Sequence, residues 1–196
     1  MSFIEHHHNL ESMGWGAIRH VCWRGTIGGF VTLHVLEHGL FPVGMRIAEC
    51  GTYLLPEMRR RGLNPRVKWE TVRLACGDFA VDWCVFVVLS QNQQAIRGLN
   101  KLAWPFVTTV ARPDVNAVQA NRSNAPHEHP MTTSDGLVHT APSPLWTRFA
   151  RWQAWKTQQE VVVFALHRDS LPQLTPPPFP AEEDHRKPLS LFCPQL

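Results

Sequence analysis

The 196-residue chain contains a single tyrosine, Tyr53, against ten phenylalanines and eight tryptophans. Any chemistry that needs a phenolic acid has only that one residue to draw on. The tryptophans are scattered, as packing residues are, and do not form a repeat. Charge of one sign is also scarce: 19 basic and 16 acidic residues leave a net +3, and no basic stripe is interleaved with aromatics. That balance argues against a nucleic-acid partner. No uninterrupted apolar run approaches the ~20 residues needed to span a bilayer, and no basic segment followed by an apolar block opens the chain. A soluble, cytoplasmic protein without a membrane partner is expected. The five cysteines, Cys22, Cys50, Cys76, Cys84 and Cys193, show no Cys-x-x-Cys spacing, so neither a zinc site nor a disulfide framework is indicated. They read as reduced, mostly buried thiols. His6-His7-His8, beside Glu5, point in different directions on any regular element and read as a solvated terminal segment, and His127-x-His129 lacks a third ligand of assigned position, so no metal is expected.

What the chain does hold is 44% hydrophobic residues, enough for one domain-sized core. Apolar runs bounded by turn residues predict strands over 17–23, 26–37, 45–55, 81–89, 106–110 and 160–167. Gly28 and Gly29 inside the second of these mark a bulge or a close backbone approach. Helical rhythm predicts helices from Pro65 to about Cys76 and from Leu145 to Thr157. In the first, Val67, Val72, Leu74 and Ala75 are apolar, while Lys68, Glu70 and Arg73 are its polar positions. The fold class is therefore α/β (α+β). Residues 1–14 form an N-terminal segment, 15–169 the domain with a long proline-rich loop at about 112–144, and 170–196 a proline-rich extended tail.

The stretch from Gly51 to Pro65 has a specific physical content. An apolar strand ends at Pro56, the basic turn Arg59-Arg60-Arg61-Gly62 follows, and Asn64-Pro65 suits the N-cap and first position of a helix. The first amides of that helix have no internal partner, and its dipole places positive charge there. Gly62 permits positive φ and close approach of a ligand. Strand, basic turn and capped helix together make a phosphate site.

Arg59-x-x-Gly62-x-Asn64 resembles the pyrophosphate-binding loop of the GCN5-related N-acetyltransferases (GNATs), with Asn64 in place of the usual final Gly or Ala. A second segment, Asn92 to Trp104, is similar to the family's Asn-x-x-Ala-Ile stretch, with Asn92, Ala95 and Ile96 in register. The resemblance implies a mixed, mostly antiparallel sheet flanked by helices, with splayed central strands that admit acetyl-CoA or another acyl-CoA. It implies cofactor contacts from Tyr53, Leu54 and Leu55 on the strand edge, from Arg59, Arg60, Arg61, Gly62, Leu63 and Asn64 in the turn, and from Asn92. Glu49, on the strand before the turn, is the implied catalytic base, with Glu57 second and better suited to neutralise Arg59 or Arg60.

Two departures from the family bear on function. Leu99 occupies the position at which many members carry a tyrosine that protonates the departing thiolate, so water would take that part. Only residues 1–14 precede the first strand, so most of the acceptor-side wall is expected to be absent, rebuilt elsewhere in the chain, completed by a second copy or supplied by a protein partner. The implied activity is transfer of an acetyl group to an amine, on a small molecule or a protein. The rival is a catalytically degenerate structural or interaction protein, for example an assembly or virion component.

Overall fold

The computed structural model describes residue 11 and residues 13–36, 40–113 and 144–178. His6 to His8, His127, His129, Cys193, the loop beyond residue 113 and the end of the proline-rich tail lie outside these. Among the described residues the strands and α-helices run β1 (Gly16–Trp23), β2 (Thr26–Leu36), β3 (Ile47–Leu54), α1 (Leu63–Gly77), β4 (Trp83–Leu89), α2 (Gln93–Asn100), β5 (Val107–Ala111), α3 (Pro144–Thr157) and β6 (Val161–His167).

The strands form one sheet in the order β1-β2-β3-β4-β6-β5. Every pairing is antiparallel except that of β3 with β4. Period-two alternation divides the core between the two faces. Cys84, Phe86 and Val88 of β4, with Val162, Phe164 and Leu166 of β6, pack beneath α1 and α2. Val85 of β4, with Val161, Val163 and Ala165 of β6, packs against Trp146, Phe149, Ala150 and Ala154 of α3. Phe41 leans on both Trp146 and Phe149. The helix that follows β5 therefore covers the face that α1 and α2 leave open.

Local chemistry accounts for most element ends. Asn92 caps α2, its side chain accepting a hydrogen bond from the Ala95 amide at 3.2 Å. The start of α1 differs from expectation. Its N-cap is Gly62, in the left-handed region at φ 73°, and Asn64 and Pro65 fall inside the first turn. Glycine reaches that conformation without a Cβ penalty, so the cap moves there, and Pro65 is tolerated because its missing N–H would have had no helical partner. A second difference concerns the helix faces: Lys68 and Glu70 are buried, 7% and 8% exposed. Cys50, Cys76 and Cys84 are thiols, whereas Cys22 is disulfide-bonded, which departs from the reading of five reduced cysteines.

The bulge expected near Gly28 and Gly29 appears as a register shift in the β1–β2 ladder between Val21 and Cys22. The close approach is severe at Gly29, where a Cβ would stand 2.1 Å from the Tyr53 carbonyl oxygen. Backbone cannot yield there without breaking the β2–β3 ladder. Gly29→Ala is thus expected to destabilise the fold by roughly 2–4 kcal/mol in denaturant unfolding, whereas Gly77→Ala, whose Cβ meets open space, changes stability by less than about 1 kcal/mol. Equal effects at the two sites would contradict the packing described.

Candidate active site

β3 and β4 pair over only three positions, Ile47 with Trp83, Ala48 with Cys84 and Glu49 with Val85. Both strands continue beyond that point. β2 holds β3 as far as Leu54 opposite Gly29, while β6 holds β4 as far as Leu89 opposite Val161. The sheet consequently parts into two halves, and a cleft opens between Cys50–Leu54 and Phe86–Leu89.

The edge that β3 shows to this cleft follows from its other partner. Leu55 donates its amide to the Gly28 carbonyl at 2.8 Å. In an antiparallel ladder hydrogen-bonded pairs alternate with non-bonded ones, so Tyr53 and Leu55 direct their backbone groups to β2. Cys50, Thr52 and Leu54 direct theirs into the cleft. Of the strand residues singled out in the sequence, Leu54 has the cleft-facing backbone, and Arg59 donates its Nε–H to the Leu54 carbonyl at 2.9 Å. Thr52 Oγ1 is buried with no hydrogen-bond partner in the structure. That hydroxyl is an orphan on the strand that lines the opening. The Tyr53 ring itself is exposed, stacked on Phe30 with Arg59 over its face.

The turn after β3 carries two left-handed residues, Arg60 at φ 61° and Gly62 at φ 73°. An arginine held there costs about 1 kcal/mol, which the local packing must offset. The amides of Arg60, Gly62, Leu63 and Asn64 make no backbone hydrogen bond among the described residues. Arg61 is tied back through its Nε–H to the Glu57 carbonyl, and the Glu57 carboxylate forms no ion pair among the described residues, contrary to the neutralising part expected of it. Asn64 lies beside α2, its Nδ2 3.8 Å from where a Gly98 side chain would begin.

Two ionisable side chains flank the apex of the cleft, one on each face. Glu49 belongs to the last β3–β4 pair and is half-buried, and Gln153 of α3 donates a hydrogen bond to its Oε2 at 2.9 Å. On the other face, Lys68 of α1 places Nζ 4.6 Å from the centre of the Phe86 ring. Burial pushes its pKa down to about 8, opposed by the neighbouring Cys50. Cys84, bonded by both Cys50 and Cys76, has its thiol raised well above the ordinary value, and the bond from Cys84 lowers that of Cys76. Leu99, where the resemblance sets the family's tyrosine, is 1% exposed in the core. Asn92 remains at the exposed start of α2 as its cap.

Reading Lys68 as a polar helix position overlooked it. Its signal was spacing: Lys68 stands four residues before Val72 and seven before Ala75, which puts it on the helix's apolar stripe. Among the described residues no group of three or more His, Cys, Asp and Glu is placed to hold a metal ion, and no helix is long and apolar enough to cross a membrane.

The buried lysine carries a pH signature. Between about pH 8 and its ordinary value of 10.5, the unfolded chain keeps a proton that the folded chain has lost, so stability rises with pH across that window. The whole effect amounts to about 3 kcal/mol. Lys68→Met is expected to be more stable than the parent at pH 7 and to lose this rise, as read by denaturant unfolding from pH 7 to 10. Parallel pH curves for the two proteins would contradict the burial of the charge.

No family model matches the sequence, and no curated protein matches it either. Solved structures do. The spermidine N-acetyltransferase from Vibrio cholerae in complex with CoA and spermine superposes with a TM-score of 0.52, at 11% identity, over 86% of this chain and 75% of that one. The microcin C7 self-immunity acetyltransferase MccE, in complex with acetyl-CoA and AMP, gives 0.51 at 10% identity, over 84% and 68%. The strand order, the single parallel pair and its parting, and these superpositions agree on the architecture: the chain has the GNAT, or acyl-CoA N-acyltransferase, fold.

Proposed function

We propose that the protein is an acyl-CoA-dependent N-acyltransferase that moves an acetyl group from acetyl-CoA to an amine. The observation that carries this reading is the parting of β3 and β4 beside a turn whose amides are unused. In it, the amides of Arg60 to Asn64 and the N-terminal end of α1 hold the pyrophosphate, with charge from Arg59, Arg60 and Arg61. The cleft edge of Cys50, Thr52 and Leu54 pairs with the amides of the pantetheine arm, and the orphaned Thr52 hydroxyl gains a partner. Asn92 closes the site from the start of α2.

Chemistry then needs a positioned thioester, an acceptor nitrogen within reach, and a base. Glu49 takes the proton from the nitrogen, its carboxylate fixed by Gln153 from α3. A cleft-facing amide of β3 stabilises the oxyanion of the tetrahedral state. α3 serves as the wall on the acceptor side. The structural likeness to an enzyme bound to CoA and spermine supports an amine as the acceptor class.

Calorimetric titration with acetyl-CoA tests the reading. Binding with a Kd of about micromolar is expected, and desulfo-CoA is expected to bind comparably. Gly62→Asp sets a carboxylate and a β-carbon at the centre of the turn, and a loss of about 100-fold or more is expected from it. Absence of binding by the parent protein at millimolar acetyl-CoA would reject the proposal in favour of a fold retained for assembly or interaction.

A further inference from the structure

Lys68 is a buried cation with no anion beside it. It is 7% exposed, and its Nζ lies over Phe86 and beside Cys50. Those two are the first residues of β4 and β3 past the last pair, Glu49 with Val85. The ammonium accordingly sits where the strands begin to part, on the face of α1. Neither nearby carboxylate reaches it: Glu70 is taken by Arg66 and Arg73, and Glu49 is held by Gln153 on the opposite face. The titratable group beside it is the thiol of Cys50 on β3, which in turn bonds Cys84 on β4. A desolvated charge without a partner is costly to maintain, and a ligand atom that develops negative charge at that point would be strongly stabilised.

The reaction proposed above creates such an atom, because the thioester sulfur leaves with the bonding electrons. The residue the family uses there is replaced by the buried Leu99. We propose that Lys68 is the general acid of acyl transfer and hands its proton to the departing sulfur of CoA. This rests on the reading of the cleft as an acyl-CoA site.

In the step, the lone pair of the acceptor nitrogen forms the N–C bond at the thioester carbonyl, and the C=O pair moves to oxygen. Glu49 takes the proton that the nitrogen sheds. The C=O bond re-forms, the C–S bond breaks, and sulfur leaves with the bonding pair and takes a proton from Nζ. The products are the amide and the thiol. Lys68, left neutral, regains a proton from solvent as Glu49 releases one, so the cycle closes. A lysine pKa of about 8 is close to the ordinary thiol value of about 8.5, which leaves the transfer nearly balanced.

A spectroscopic titration that needs no acceptor tests this. CoA bound to the full chain is titrated by its ultraviolet thiolate absorbance, and the same protein saturated with desulfo-CoA is subtracted to cancel Cys50, Cys76 and Cys84. A positive charge beside the sulfur favours the thiolate, so the bound thiol is expected to ionise at least about one pH unit lower in the parent than in Lys68→Met. Lys68→Leu serves as a second apolar variant, and Lys68→Arg, which keeps the charge, is expected to keep the low value. Identical thiol titration in the parent and both apolar variants would overturn the part assigned to Lys68 and leave the cleft reading intact. Failure of CoA to bind the parent would overturn the cleft reading, and this inference with it.

Discussion

Three residue pairs join the two halves of the sheet. β3 and β4 are parallel neighbours only through Glu49 and Val85, and beyond them each strand follows its other partner. Fully paired strands would leave no unbonded backbone edge at the centre of the sheet. Their parting turns the backbone groups of Cys50, Thr52 and Leu54 to the cleft, where Arg59 meets the Leu54 carbonyl, and the Thr52 hydroxyl on the same strand has no partner in the protein. It also fixes what lies at the apex: the face on which each side chain of the last and first residues stands is set by strand alternation. Glu49 must then face α3, and Cys50 and Phe86 must face α1.

The two faces are built by different parts of the chain. α1 and α2, which follow β3 and β4, cover one of them. α3, placed between β5 and β6, packs Trp146 and Phe149 on the other, and from it Gln153 reaches Glu49. In the proposed reaction, the carboxylate held from one side and the cation buried on the other divide proton uptake and proton delivery between two helices.

The strands were legible because their apolar runs end at turn residues, and each of the six appears within a few residues of its expected place. The basic turn was legible because Arg59 to Pro65 combines charge, a glycine and a helix start. Its cap was misplaced by two residues, since propensity favours Asn64 whereas the backbone needs a left-handed residue and Gly62 supplies it. Which strand residues face the cleft was hidden, because the choice between Tyr53 and Thr52 depends on the register with β2, a long-range property. Lys68 was hidden by its own type. Charge is a strong prior for exposure, and only its spacing from Val72 and Ala75 contradicted that prior.

Single-residue amide hydrogen exchange with and without acetyl-CoA measures the central claim most directly, because it reads each backbone group of the cleft separately. Occupation of the cleft should slow exchange at Thr52, Leu54, Gly62, Leu63 and Asn64, and leave Tyr53 and Leu55, already bonded to β2, unchanged. Protection confined to other segments, or an equal change along all of β3, would contradict the account.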